Sequence, residues 1–222
     1  MDLITTFFNT TVLVQAAPLL LKGLWLTILL GAASLFFSLI LGLVLVLLRL
    51  YAPWPIRWLT SAYIDVFRAI PLLVLLVVVY YALPFVGIKL TSFWAATVAI
   101  SIVAGAYMAE TFRAGIEAVP NGQFEAAQAL GLSWTRMMID IILPQAMRIV
   151  VPPVTGVAVS LIKDTALASV VAMPDLLKQA TQAQAFYANP SPLIGAAVLY
   201  LLLLLPLVRI VSYLETKQKR TK

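Results

Sequence analysis

The chain contains no cysteine and no histidine, and only 11% of its 222 residues are charged. Without cysteine there is no disulfide framework and no thiolate. Without histidine the commonest metal ligand and general base at neutral pH is missing, so both absences weigh against metal and nucleophilic chemistry. No G-x-x-x-x-G-K-[ST] run occurs, so the chain lacks that cradle for nucleotide phosphates. The scarcity of charge is matched by an apolar content of 63%, against roughly 45–50% in a soluble globular domain. Lipid must then take the place of a polar exterior, and the long unbroken apolar runs choose helices over a closed barrel. The net charge of +6 would suggest nucleic acid in a soluble protein. In a membrane chain the basic residues are read first for orientation, and no nucleic-acid partner is needed.

Apolar stretches long enough to cross the bilayer are expected at Leu24–Leu48, Ala62–Leu83, Phe93–Thr111, Met147–Val171 with an interruption, and Leu193–Val211. This predicts an all-α membrane protein of about five transmembrane helices in a single domain, 1–222. The opening Met1-Asp2 lacks a basic region and the first apolar run is too long for a cleavable signal, so that span is expected to persist. Five spans put the ends on opposite sides. With the C-terminus in the cytoplasm, the inner set is Arg49, Arg57, Arg68, Arg113, Arg136, Arg148, Arg209, Lys217, Lys219, Arg220 and Lys222; the outer set is Lys22, Lys89, Lys163 and Lys178. Eleven against four is a positive-inside bias, which places the N-terminus outside and the segment 115–145 in the cytoplasm. Residues Asp2 to Ala17 suit an amphipathic segment on the outer surface, and Lys217 to Lys222 a disordered basic end near anionic headgroups. Gly31, Ala32, Ala33 and Ser34 are small enough for close helix contacts.

The cytoplasmic loop carries ordered signals. Pro120-Asn121-Gly122 marks a turn, and Glu125 falls in the first turn of a short alanine-rich helix, where a carboxylate complements the helix dipole. Gly131 suits the C-terminal cap, Ser133 the N-cap of a second helix, and Pro144 is expected to end that helix. The product is a helix-turn-helix beneath the membrane. Physical reasoning leaves two roles open: packing on headgroups, or docking a partner whose backbone approaches Ala126, Ala127 and Ala129.

The spacing Glu125-Ala126-Ala127, three residues, Gly131, nine residues, then Ile141-x-Leu143-Pro144 resembles the EAA signature of permease subunits in ATP-binding cassette importers. Three further segments are similar to the polar amino acid (histidine, glutamine, arginine) permeases: Phe67-Arg68-Ala69-Ile70-Pro71-Leu72-Leu73; Ala106-Tyr107-Met108-Ala109-Glu110 through Val119-Pro120-x-Gly122-Gln123; and Leu161-Ile162-Lys163-Asp164-Thr165. Asp65 stands where that family often has Glu, and Phe124 where Trp or Tyr is common. The resemblance implies the type I importer permease fold in a bacterial inner membrane. It also implies a coupling helix within 115–145, carried by Glu125, Ala126, Ala127, Gly131, Leu143 and Pro144 and seated on a separate ATPase subunit. ATP and Mg would be used by that partner, with no cofactor in this chain. A second permease chain, an extracytoplasmic substrate-binding protein and a polar amino acid complete the implied set. The polar stretch Ala180 to Asn189 is read either as the outer element where the binding protein docks or as an ordinary interfacial helix.

Ionisable residues at membrane depth are costly and face other helices or a water-filled cavity. They are Asp65, Arg68, Glu110, Arg113, Lys163 and Asp164. Asp65 with Arg68, and Glu110 with Arg113, are spaced i, i+3 and can meet as ion pairs. Lys163 and Asp164 are neighbours pointing about 100° apart, so at least one needs another partner. The resemblance assigns the lining of a substrate site to Tyr63, Asp65, Arg68, Tyr107 and Asp164, with Glu110 beside them. Arg68 would receive the substrate carboxylate, and Asp65 or Asp164 its ammonium or a cationic side chain. Two rivals remain at this stage: a carrier driven by an ion gradient using Asp65, Glu110 and Asp164, and a membrane scaffold that recruits a partner without transport.

Overall fold

A computed structural model describes Leu3 to Lys219, with side chains from Thr5 to Thr216; Met1, Asp2 and 220–222 lie outside the described residues. In chain order the helices are α1 (Leu3–Phe7), α2 (Thr10–Tyr51), α3 (Trp54–Ala69), α4 (Leu72–Val77), α5 (Ser92–Glu117), α6 (Asn121–Ala129), α7 (Trp134–Arg136), α8 (Leu143–Asp164), α9 (Leu176–Tyr187) and α10 (Ser191–Lys219). Four helical stretches are long and apolar enough to cross a membrane, or five if the bent pair α3 with Leu72–Val86 is one span. The chain is thus all-α among the described residues.

Several expected boundaries move, each for a local reason. The outer amphipathic segment is not separate from the first span. Asn9 caps α2 by accepting the Val12 N–H at 3.2 Å, so helix runs unbroken from Thr10. The second span is not straight: it is interrupted at Ile70 and Pro71, because the residue before a proline is pushed out of helical geometry. After α4 the chain passes through a π turn, Val78–Ala82, and a 3-10 turn, Leu83–Val86, to Gly87 at φ +87°. Pro144 does not end a helix. From α7 the chain widens into a π turn, Met137–Ile142, where the Leu143 N–H reaches back to the Met138 carbonyl, and α8 continues through Pro144, Pro152 and Pro153. The π turn has already shifted the bonding pattern by one residue where the proline N–H is missing, so that loss falls at a place where regular α bonding is suspended. At the other end, α10 continues through Lys219 where disorder was expected from Lys217; the remainder of that expectation lies outside the described residues.

The chain packs as two compact units. The first comprises Met1–Phe36, Ile70–Ser101 and Val159–Leu207. Here α9, the stretch read as an outer surface element, buries Leu176, Ala180 and Ala183 against Ala16, Leu20 and Ala196. Gly23 makes that approach possible, since a Cβ there would lie 2.8 Å from the Leu176 Cα. The opposite side of α9 stays open, with Thr181, Gln182, Ala185 and Phe186 exposed.

Asp175 caps α9 by accepting the Lys178 N–H at 2.9 Å, while its Oδ2 is buried without a partner. Around it stand Lys178, the buried Tyr200 hydroxyl and Thr27, whose hydroxyl accepts the Leu176 N–H. Burial pushes the Asp175 carboxyl up from 3.8 to about 6, against the opposing pull of backbone N–H groups and Lys178. An acid whose folded value is raised binds its proton more tightly when folded, so stability falls as pH rises from about 4 through 6 and stays lower above. Asp175→Asn keeps a capping oxygen and removes the charge. It is expected to flatten that fall and to raise stability at pH 7.5 by on the order of 2 kcal/mol, read from thermal unfolding in detergent between pH 4 and 8. An unchanged pH profile would count against the buried charge.

The second unit comprises Phe37–Ala69, Ile102–Ala158 and Val208–Lys222. Ile64 of α3, Leu45 of α2 and Ala109 of α5 form one buried cluster. At Gly42 an added Cβ would stand 2.5 Å from the Met108 Cβ, whereas at Gly31, in the first unit, it would meet Ile162 at an ordinary 3.4 Å. Gly23 and Gly42 thus allow close approaches to neighbouring backbone, while in the stretch Gly31 to Ser34 the contact is made by the buried Ser34, whose carbonyl accepts the Ser101 hydroxyl at 3.3 Å.

Candidate functional site

The polar segment of the second unit begins where α5 stops at Glu117. Pro120, at φ −57° and ψ 136°, occupies the N-cap of α6. At the other end Gly131 adopts φ +67°, its N–H bonds the Gln128 carbonyl at 2.9 Å, and the Leu132 N–H bonds the Ala127 carbonyl at 3.2 Å. This pair of bonds is a Schellman closure, with Leu132 packing in the same cluster as Ala127. Ser133 does occupy an N-cap, but its hydroxyl makes no cap bond; its carbonyl receives the Met137 N–H instead.

Ala127 is 1% exposed and joins Val119, Met137, Met138, Ile142 and Ala146, with Phe124 packed against them. It fastens α6 within the chain and is not free to touch a partner. Gln145 adds a tie, donating to the Gln123 side chain at 3.1 Å. Past its exposed start, 121–123, α6 leaves open Glu125, Ala126, Gln128 and Ala129, and Leu130, at its C-cap, is 76% exposed. Leu130 is a functional candidate that the motif spacing passed over; an apolar side chain beside the expected cap glycine was the available signal. Pro144 is exposed, and Leu143 lines an apolar groove elsewhere in the unit.

Of the residues assigned to a substrate site, three line one cavity of about 280 Å³: Arg68, Tyr107 and Glu110, joined by Thr111, Ile149 and Pro153. The Arg68 guanidinium carbon lies 5.4 Å from the centre of the Tyr107 ring, a cation–π arrangement, and the Tyr107 hydroxyl donates to the Arg68 carbonyl at 3.2 Å. Tyr63 packs on Phe67 at 4.5 Å and donates to the Ile102 carbonyl at 3.4 Å; it is not in the lining. Asp65 is exposed, and no ion pair joins it to Arg68, because Arg68 is engaged by Tyr107 from another helix. Asp164 belongs to the first unit and is not in the lining.

Glu110 and Arg113 do pair, at 2.5 Å, within a longer chain of charge. Arg49 of α2 reaches the other Glu110 oxygen at 2.7 Å, and Arg113 also bonds Glu117. Two cations and two anions neutralise one another, so the group lies at low electrostatic cost near membrane depth. The i, i+3 spacing exposed one link of this chain; Arg49 comes from 61 residues away and no local spacing could reveal it.

Comparison with known proteins adds a separate line of observation. Residues 38–220 match the family described as binding-protein-dependent transport system inner membrane component. The arginine transport system permease protein ArtQ of Bacillus subtilis is 39% identical over 204 residues, covering 91% of this chain and 93% of that protein. The probable glutamine ABC transporter permease protein GlnM of the same organism is 36% identical, covering 96% and 99%. Among solved structures, a crystal structure of an amino acid ABC transporter with histidines superposes with a TM-score of 0.87 at 33% identity, covering 92% of this chain and 96% of that one. The inward-facing MetNI methionine ABC transporter, at a TM-score of 0.70 and 24% identity, shares the fold.

Proposed function

This chain belongs to the binding-protein-dependent transport system inner membrane component family, and from that premise we propose that it is the permease subunit of an ATP-driven importer of polar amino acids. It is a multi-pass protein of the bacterial inner membrane with the type I importer permease fold. The observation that carries the reading beyond the family is α6, a capped helix in a greasy chain that presents Glu125, Ala126, Ala129 and Leu130 outward. The amino acid cargo is supported by the arginine and glutamine permeases among the relatives.

In this reading the segment 115–145 is the coupling loop and lies in the cytoplasm, with the N-terminus outside, as the distribution of basic residues favours. A separate ATPase subunit, using ATP and Mg, receives α6 in a groove. Two permease chains and two ATPase subunits form the transporter, and an extracytoplasmic binding protein delivers the cargo. ATP binding draws the ATPase pair together, α6 follows, and the membrane helices alternate between inward-facing and outward-facing states. A carrier driven by an ion gradient has no support of this kind: Glu110, one of its three carboxylates, is already held by two guanidinium groups.

The cargo meets Arg68 by its carboxylate in the cavity shared with Tyr107, while Glu110, both of whose oxygens are occupied, holds the wall. Within the same unit, Asp65 remains the acid for its ammonium or cationic side chain. In vesicles holding the complete transporter, arginine and glutamine should accumulate with ATP and regardless of an uncoupler; uptake lost to the uncoupler at constant ATP would overturn the reading. Arg68→Ala should weaken cargo affinity more than tenfold, the scale for removing one member of a buried charge pair. Unchanged affinity in an intact assembly would take Arg68 out of the site.

A further inference from the structure

A second cavity of the second unit, about 840 Å³, is separate from the one with Arg68. It is a groove lined almost wholly by apolar side chains of α2, α5 and the stretch from Trp134 to Val154, among them Leu43, Phe112, Met147 and Val151. Along α2 the lining runs from Leu39 to Tyr51, which is about 18 Å at 1.5 Å per residue. That is close to one leaflet of a hydrocarbon core about 30 Å thick.

The mouth has a different chemistry. Tyr51 and Trp134 meet edge to face with ring centres 4.9 Å apart, each beside a turn that leaves the helix, which is the placement of interfacial aromatics. Arg57 donates to the carbonyl of Ala52, the residue after Tyr51, at 3.5 Å. Arg136 follows Trp134 by two residues. Both arginines are exposed, and neither joins an ion pair among the described residues. An apolar trough one leaflet deep, with aromatics at its mouth and two such cations near them along the chain, matches an amphiphile with a negative head.

We propose that this groove is a binding site for one anionic phospholipid, its acyl chains against Leu43, Met147 and Val151 and its phosphate between Arg57 and Arg136. The site is distinct from the cargo cavity. A lipid held there packs α2 against the stretch that follows α6, so lipid composition acts on the helices next to the coupling loop.

Because the chain has no cysteine, a single thiol fluorophore can be placed at Met147→Cys in the groove, or at Leu202→Cys, where Leu202 is 65% exposed. The full chain is reconstituted in nanodiscs of mixed lipids in which either phosphatidylglycerol or phosphatidylcholine carries brominated acyl chains that quench the probe. The expected result is quenching at position 147 at a severalfold lower mole fraction of the brominated phosphatidylglycerol, with no preference at position 202. Arg57→Ala and Arg136→Ala should each reduce the preference roughly fivefold, while Arg57→Lys and Arg136→Lys keep it. Equal quenching by the two lipids at position 147 would mean ordinary bilayer contact and overturn the proposal. So would an absence of quenching accompanied by disulfide cross-linking of Met147→Cys between two chains, since a second copy would then fill the groove.

Discussion

Gly42→Ala is expected to destabilise the protein by about 3 kcal/mol, at the upper end of what overpacking costs. The added methyl would stand 2.5 Å from the Met108 Cβ, 3.1 Å from the Ala109 nitrogen and 3.2 Å from the Gly105 carbonyl oxygen. Comfortable carbon–carbon contact is about 3.5–4.0 Å, and none of the three atoms can rotate aside, because each belongs to or is fixed by the backbone of α5. The helices would have to separate, and Leu45, Ile64 and Ala109, buried in the same unit, would loosen with them. The comparison is Gly31→Ala, whose methyl meets the flexible Ile162 side chain at 3.4 Å and should change stability by less than about 1 kcal/mol. Thermal unfolding of both variants in one detergent decides it; equal losses would contradict the close approach at Gly42.

The largest functional effect is expected from Leu130→Asp. This side chain is 76% exposed, so an aspartate there leaves the fold intact. In the proposed complex it would put a charge into the apolar centre of the ATPase contact, where anchors contribute about 2 kcal/mol or more. ATP-driven uptake should fall by at least a factor of about ten with the permease still inserted and thermally stable. Co-purification of the ATPase with the variant separates lost docking from lost coupling. Full uptake by the variant would remove Leu130 from the interface and weaken the role given to α6.

The features that were legible in the sequence are those set by neighbours along the chain. The left-handed Gly131 and the ion pair of Glu110 with Arg113 each depend on residues a few positions apart, whereas Asn121 and Gly122, read as a turn, already open α6 and so put Glu125 beyond its first turn. What escaped depends on distant partners or on competition between local rules. Asp65 and Arg68 have the right spacing for a pair, yet a tyrosine 39 residues along the chain takes the arginine. Pro144 reads as a stop, but the π turn before it lets the helix continue. Pro71 bends by 101° a span that the apolar run presents as continuous. Small residues from Gly31 to Ser34 do admit a close contact at Ser34, but only the packing reveals the tighter approaches at Gly23 and Gly42.

The closure of α6 at both ends also has a mechanical side. Between Glu117 and Trp134 the chain outside α6 consists of short connectors, 118–120 and 130–133, and each is stiffened where it meets the helix, one by the fixed dihedral of Pro120 and the other by the double hydrogen bond around Gly131. A connector of three or four ordered residues has almost no slack. A shift imposed on α6 is therefore delivered undamped to two helices at once, the end of α5 and the start of the stretch leading into α8. Inserting glycines at 118–120 would make one of those linkages compliant, and force would then reach the membrane helices from one side only.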